Sequence, residues 1–408
     1  MDRILIKQIN ILFCVLFLLM APCNISAQKK EISVAEDLLK KNKDLEKVQK
    51  SMENLLKDSN NLGKTKIHAL LFESLQKQYL QGNEKLYLKQ NYDTTSLFNI
   101  ARQLFIRGEI IDSLENQPVK KGKIKIKYRK DNSQFLNLIR PNLFNAGIFY
   151  IRKKDYRQAY DFFNIYIECA NQPLFREYKY PHRDKKLPNA AYWAVYCAFK
   201  QNDIHGTLRH AYWALQDTAH NSFMLQYLAE TYRLEHDTLR YFNSLKEGFE
   251  KYPTFPFFFP RLVEYYVNTE HQDSAMMVVN KALRIKPNDQ MYRFTKSTLM
   301  LNMNKYDECI SICDSLIAEN DSLAGAYYNA GLAYFDQAVK LDKKNQINSK
   351  NKTKMFDLYR RSMPYLQKFR ALCPEDKNKW ALPLYTIYLK LNMGKEFDEI
   401  DQILRDNK

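Results

Sequence analysis

The sequence predicts an all-α protein, a right-handed superhelical solenoid of helix-turn-helix hairpins, and three observations predict it. First, a small or slim residue stands at Val195, Ala229, Val263, Ser297 and Gly331, 34 positions apart each time, followed three residues later by Ala198, Tyr232, Tyr266, Met300 or Tyr334. A fixed period of that length marks a solenoid, because each unit buries its apolar face only by stacking on the next. Second, a further stripe keeps step with the first: Thr207, Ala211, Ala214; Ala275, Val279, Ala282; Cys309, Cys313, Leu316. Steps of four and three trace one face of a helix. Third, Pro253 and Pro287, again 34 apart, sit where a helix must stop, since proline lacks the amide donor and clashes with the preceding turn.

The clearest single unit lies upstream, with Gly147, Tyr150, Tyr156, Ala159, Phe163 and Tyr166 in the run Asn145 to Tyr166. These residues resemble the tetratricopeptide repeat (TPR), whose pattern is W-x2-L-G-x2-Y, then A-x3-F, then P. The resemblance covers about residues 140 to 408. Val263 and Ser297 depart from it in place of the glycine, Tyr241 in place of the second-helix alanine, and Ala219 and Asp321 in place of the proline. Ankyrin repeats fit less well, because the chain has only 10 glycines and no T-P-L-H run.

In chain order, residues 1–27 read as a signal peptide: Arg3 and Lys7, an apolar run Ile11 to Ala21, Pro22, and Ile25-Ser26-Ala27 as a cleavage site. A run of 11 residues is too short for a bilayer, which needs roughly 20. Cys23 is preceded by Met20-Ala21-Pro22, a poor context for lipidation. The expected product is exported to the periplasm, the outer membrane or the cell surface of a Gram-negative bacterium, with no transmembrane segment.

Residues 28–135 read as a less regular helical region. One amphipathic segment is expected over Ile32 to Leu56, then a turn at Asn60 to Gly63 and a helix from Lys66 to Leu80. The string Lys89 to Thr95 copies the turn Arg152 to Ala159 in outline, which predicts a degenerate repeat over about residues 76–111. Residues 136–408 form the solenoid proper, interrupted by basic insertions near 174–187 and 340–354. The first of these stretches the spacing from Gly147 to Val195 to 48. The second is expected to be disordered.

The net charge of +17 raises the question of an anionic partner. Lys123, Lys125, Lys127 and Arg129 belong to a basic loop at 118–130 whose Lys123 to Tyr128 alternates as a strand would. Such loops are ordinarily solvated surface, or they steer an acidic protein or an anionic envelope polymer. Export and the lack of any zinc-finger or recognition-helix pattern argue against nucleic acid.

No catalytic constellation stands out. The seven histidines share no helix face, and neither His-Glu-x-x-His, Gly-x-Ser-x-Gly nor a phosphate-cradling loop occurs. The expectation is a non-enzyme without cofactor or metal. Cys309 and Cys313 read as small core fillers. The Asp-Ser or Asp-Thr steps at Asp112, Asp217, Asp237 and Asp273 resemble O-glycosylation acceptors and equally suit turns and helix caps.

The TPR resemblance implies a concave groove lined by the first helix of each repeat. Register places Phe144, Tyr192, Tyr196, Phe294 and Tyr328 there as aromatic anchors, with Glu230, Arg233 and Glu264 fixing polarity. Rigid rings lose little entropy on binding. They serve equally as packing between neighbouring helices. The expected function is therefore a cell-envelope scaffold that binds a protein or peptide; the alternative is a module for glycans or anionic polymers.

Overall fold

The computed structural model describes residues 28–117, 126–343 and 349–405. Among these the secondary structure is helical, without a strand, so the all-α helical-repeat expectation is met. The expected leader, residues 1–27, lies outside the described residues, as do Lys123 and Lys125. No described helix is long and apolar enough to cross a membrane.

The chain divides into two compact units at Leu234/Glu235. In the first unit, α1 (28–40) and α2 (Leu45–Leu55) precede α3 (Thr65–Tyr87), α4 (Thr94–Glu115), α5 (Arg129–Ile139), α6 (Pro141–Arg152) and α7 (Tyr156–Glu168). Then come α8 (Tyr180–Arg183), α9 (Leu187–Lys200), α10 (Ile204–Arg209), α11 (Ala211–Ala214) and α12 (Asn221–Leu234). The second unit holds α13 (Thr238–Lys251), α14 (Phe258–Asn268), α15 (Gln272–Ile285), α16 (Gln290–Asn302), α17 (Tyr306–Glu319), α18 (Ala324–Asp342), α19 (Ser349–Leu372), α20 (Lys377–Lys390) and α21 (Gly394–Arg405). From α13 to α21 each helix packs on its successor. In the first unit α2, α3, α4 and α5 do the same, α6 packs on α7, and α7 packs on α9.

The 34-residue register is buried as its spacing requires. Val195, Ala229 and Ser297 are fully covered, Val263 and Gly331 are buried, and the stripe Ala275, Val279, Ala282, Cys309, Cys313, Leu316 is core. The turns share one backbone conformation. Asn202, His236, Glu270 and Asn304, themselves 34 apart, take left-handed backbone with φ of 56, 58, 61 and 59°. Lys154 and Lys89 do so in earlier turns. At several of these turns the next amide donates to the carbonyl five residues back: Asp155 to Tyr150, Asp203 to Ala198, His271 to Tyr266, Lys305 to Met300. That bond closes the first helix in a Schellman-type cap. Where an aspartate follows, its carboxylate opens the second helix, as Asp155 accepts from the Gln158 amide, Asp203 from Gly206 and Asp237 from Arg240.

Several expectations are corrected. The segment Ile32 to Leu56 is two helices, broken at the left-handed Asn42 and Asp44. The degenerate repeat at 76–111 is a larger hairpin, α3 on α4, with helices of 23 and 22 residues. The boundary at 135/136 falls inside α5, whose Leu136 and Ile139 are core. The second-helix stripe through Thr207, Ala211 and Ala214 is split at His210, whose buried ring bonds Asn164 Oδ1 at 2.8 Å. The insertion at 340–354 is helical over 340–342, which ends α18, and over 349–354, which opens α19, with a turn at Lys343. Residues 344–348 lie outside the described set. The strand-like alternation also fails over 126–128, where the chain is pinned to carboxylates. The Lys127 and Tyr128 amides donate to Glu115, and Arg129 pairs with buried Asp112.

A methyl group on Gly147 would run into the Phe163 ring, which is fully buried. Gly147→Ala is therefore expected to destabilise the first unit by about 1–3 kcal/mol through overpacking. Urea unfolding followed by circular dichroism reads this directly. A midpoint equal to that of the wild-type chain would remove the close helix approach as the reason for the glycine.

Candidate functional site

The groove residues named from the register do not behave alike. Tyr192 is only 5% exposed, with its ring stacked on His220 at 4.1 Å. It is a packing residue and not an anchor, because the ring is buried against His220, Trp193 and Tyr227 of the first unit. Tyr196 is half-buried, edge-on to Tyr156 and Trp193. Glu230 and Arg233 bond each other at 3.0 Å. In the second unit Glu264 is exposed. Phe294 lies where a side chain at Gly325 would be, and Tyr328 packs on Phe369 at 4.9 Å. Phe144 lines a cavity that the insertion helps to build.

The extra residues between α7 and α9 form short 3-10 turns, Cys169–Asn171 and Pro173–Tyr178, followed by α8. They fold inward because they are apolar at the right places. Leu174, Phe175, Tyr180 and Leu187 are buried, and Phe175 stacks on Phe105 of α4 at 5.7 Å. Lys179 takes the left-handed conformation, φ 53°, that turns the chain into α8. A cavity of about 580 Å³ remains between this insertion and the start of α6, lined by residues from Asn137 to Lys186 that include Phe144, Tyr178 and Arg183.

Arg140, at the α5–α6 junction, organises the floor. Its side chain is 5% exposed. Its guanidinium lies between the Tyr166 and Tyr180 rings, 3.7 and 3.9 Å from their centroids. Its nitrogens donate to Asp184 Oδ2 at 2.6 Å, to the Tyr166 carbonyl at 3.0 Å and to Cys169 Sγ at 3.2 Å. The Tyr166 hydroxyl also donates to Asp184, at 2.8 Å, and the Tyr180 hydroxyl donates to Asn137 Oδ1 at 2.6 Å. A planar guanidinium suits this role because it stacks and bonds at once. Burial pushes the Cys169 thiol up to about 12, so it is a neutral filler and not a nucleophile. The rim carries Arg183, Lys185 and Lys186, all exposed, with the Lys186 ammonium 5.6 Å above the Phe144 ring.

Of the basic residues expected at the surface, Lys127 is exposed, with its ammonium 4.8 Å over its neighbour Tyr128, while Arg129 serves Asp112. The aspartates of the Asp-Ser and Asp-Thr steps mostly have structural work: Asp112 in that pair, Asp217 on Asn189 and His220, Asp237 as a cap. Cys309 and Cys313 are fully buried. Among the described residues no group of three or more His, Cys, Asp or Glu could hold a metal ion. What sequence reasoning missed is Arg140 and the tyrosines around it. The spacing of 48 in place of 34, with Tyr178 and Tyr180 inside the excess, was the available signal.

The fold defines a TPR-like helical-repeat protein, here carrying a concave cavity, and the chain's own register and turns carry that assignment. No protein-family model and no curated protein matches the chain. Similar solved structures include the C-terminal part of a TPR repeat-containing protein from Cytophaga hutchinsonii, 13% identical, TM-score 0.43, covering 63% of this chain and 92% of that one. A tetratricopeptide repeat protein from Parabacteroides merdae is 16% identical, TM-score 0.37, over 66% and 98%. YrrB, described as a TPR protein with an unusual peptide-binding site, is 17% identical, TM-score 0.32, over 47% and 96%.

Removing one partner of a buried pair leaves an uncompensated charge, so Asp184→Ala is expected to cost about 3–5 kcal/mol. The double variant Arg140→Met, Asp184→Asn, which buries no charge, is expected to recover most of that loss in denaturant titrations. Equal losses in both would mean that packing and not charge governs the site.

Behind Cys169, burial and the nearby Glu168 carboxylate raise Glu109 to about 7. The folded state then holds a proton that the unfolded state has released between about pH 4.5 and 7, so this stability is lost as pH rises. Glu109→Gln is expected to stabilise the chain at pH 8 by on the order of 1–2 kcal/mol, discounted for partial exposure, with the gain shrinking toward pH 5. His210, which burial lowers to about 4, acts in the opposite sense: its contribution is complete above about 6.5 and declines as pH falls. A pH-independent difference in melting temperature between the Gln variant and wild type would rule out a raised Glu109.

Proposed function

We propose that this chain is a non-enzymatic scaffold of the bacterial cell envelope, delivered there by its N-terminal run, and that it binds a protein or peptide partner. The observation that carries the reading is the cavity itself: a preorganised concave site, walled by Phe144, Tyr166, Tyr178 and Tyr180 and rimmed by three cations, in a chain whose other aromatics are largely spent on packing. Concave sites of this size, apolar with few polar groups, are where ligands bind. The partly exposed Tyr196 extends the aromatic surface of the first unit. The second reading, an envelope glycan or other anionic polymer, draws on the same tyrosines and on Arg183, Lys185 and Lys186.

Affinity purification from envelope extract tests the reading, with wild type run beside Lys185→Glu, Lys186→Glu. The expected outcome is one protein retained by the wild-type chain, reduced by the variant, with the chain itself in the envelope fraction on immunoblots. Retention of envelope polysaccharide and no protein would replace the first reading with the second. A chain confined to the cytosol would overturn the location.

A further inference from the structure

The polar groups that Arg140, Tyr166, Tyr180 and Asp184 bring to the cavity floor are occupied within the chain. The Tyr180 hydroxyl is spent on Asn137, the Tyr166 hydroxyl on Asp184, and the Arg140 nitrogens on Asp184, the Tyr166 carbonyl and Cys169. Both faces of the guanidinium are covered by rings. What the floor mainly offers a visitor is carbon: the Phe144 ring, Pro141, and the stacked pair Tyr178 and Tyr180, whose centroids are 5.5 Å apart.

This separates the two kinds of ligand. A sugar ring carries hydroxyls around its edge and on entering would trade water for a floor with few directional partners, at a cost for each group left unpaired. An apolar side chain makes no such demand and gains from every square ångström removed from water.

The rim is equally one-sided. Asp184 is the sole carboxylate of the lining. Its Oδ2 is shared by Arg140 and the Tyr166 hydroxyl, and its Oδ1 accepts from the Lys186 amide. It leaves the charges of Arg183, Lys185 and Lys186 uncompensated, and among the described residues no ion pair engages these three.

Resting on the binding-scaffold reading above, we propose that the cavity is the docking site for an acidic peptide segment of a partner protein. A large apolar side chain of that segment enters between Phe144 and the Tyr178–Tyr180 pair. Carboxylates flanking it in sequence meet Arg183, Lys185 and Lys186. The anchor supplies the buried area and the rim supplies steering and register, the usual division between the centre and the edge of an interface. The 14-residue excess in the repeat spacing (48 against 34) thereby acquires a use, because without the insertion neither the tyrosine pair nor the cationic rim exists.

The test uses a fluorescein-labelled peptide, Gly-Asp-Glu-Phe-Glu-Asp-Gly, with anisotropy read against the purified chain at low ionic strength. Saturable binding is expected, weakened about tenfold or more by Phe to Ser in the peptide and by Lys185→Glu, Lys186→Glu in the protein, and weakened by added salt. Both lysines are exposed, so the variant is expected to keep its helicity and melting temperature. Phe144→Ala provides a second variant, acting on the anchor and not on the charge. The proposal is overturned if the Ser peptide or an all-lysine peptide binds as well as the parent, if charge reversal has no effect, or if polygalacturonate binds more tightly and displaces the peptide. Loss of peptide binding while an envelope protein is still recovered by the Lys185→Glu, Lys186→Glu chain would remove this pocket and leave the scaffold reading standing. Failure of both would remove the reading itself.

Discussion

Two helices joined by a turn of three or four residues can bury their facing stripes only if the turn reverses the chain tightly and one position in the interface is small. Both conditions recur every 34 residues along much of this chain. Within the units the reversal is made by one left-handed residue, Asn202, Glu270 or Asn304, and at each of these the next amide bonds back to the closing turn of the first helix. The approach is made at Val195, Ala229, Val263, Ser297 and Gly331, all of them buried. Non-glycine residues pay some backbone strain for this turn, which the cap bond offsets. Everything else in the fold hangs from that geometry.

The same constraint explains why the insertion becomes a site. The hairpin of α6 and α7 keeps its turn and contacts, and the 14 further residues collect after it, between α7 and α9. Their apolar members must be covered, and Phe175 and Tyr180 go inward against Phe105 and Arg140. A buried guanidinium then needs a counter-charge and hydrogen-bond acceptors, which Asp184, the Tyr166 carbonyl and Cys169 provide. Satisfying the floor internally is what leaves the cavity apolar and its rim positive.

Helical periodicity, repeat length and helix stops were legible without coordinates because each depends on residues close in sequence. The groove residues were less legible. Tyr192 and Phe294 have the residue type and register of anchors, yet one is stacked under His220 and the other fills the space over Gly325. Whether a ring on a first helix is offered to a partner or taken by a neighbour depends on the side chain one repeat away, and one register describes both. The Arg129 charge was misjudged for a similar reason, since its partner Asp112 lies 17 residues back on another helix. The break in α1–α2 and the split at His210 turn on single residues, Asn42, Asp44 and His210, that local pattern does not flag.

The sequence by itself determined the all-α repeat architecture, the hairpin register and the place where that register is interrupted, since all three are written in spacings of four, three and 34. Tertiary structure alone decided which aromatics face a cavity and which are packed, and it alone brought Arg140, Tyr166, Tyr180 and Asp184 together across 44 residues. The physical reason is that a site of this kind is made by side chains satisfying one another's charge and hydrogen bonds through space, and nothing in their separation along the chain records that they meet.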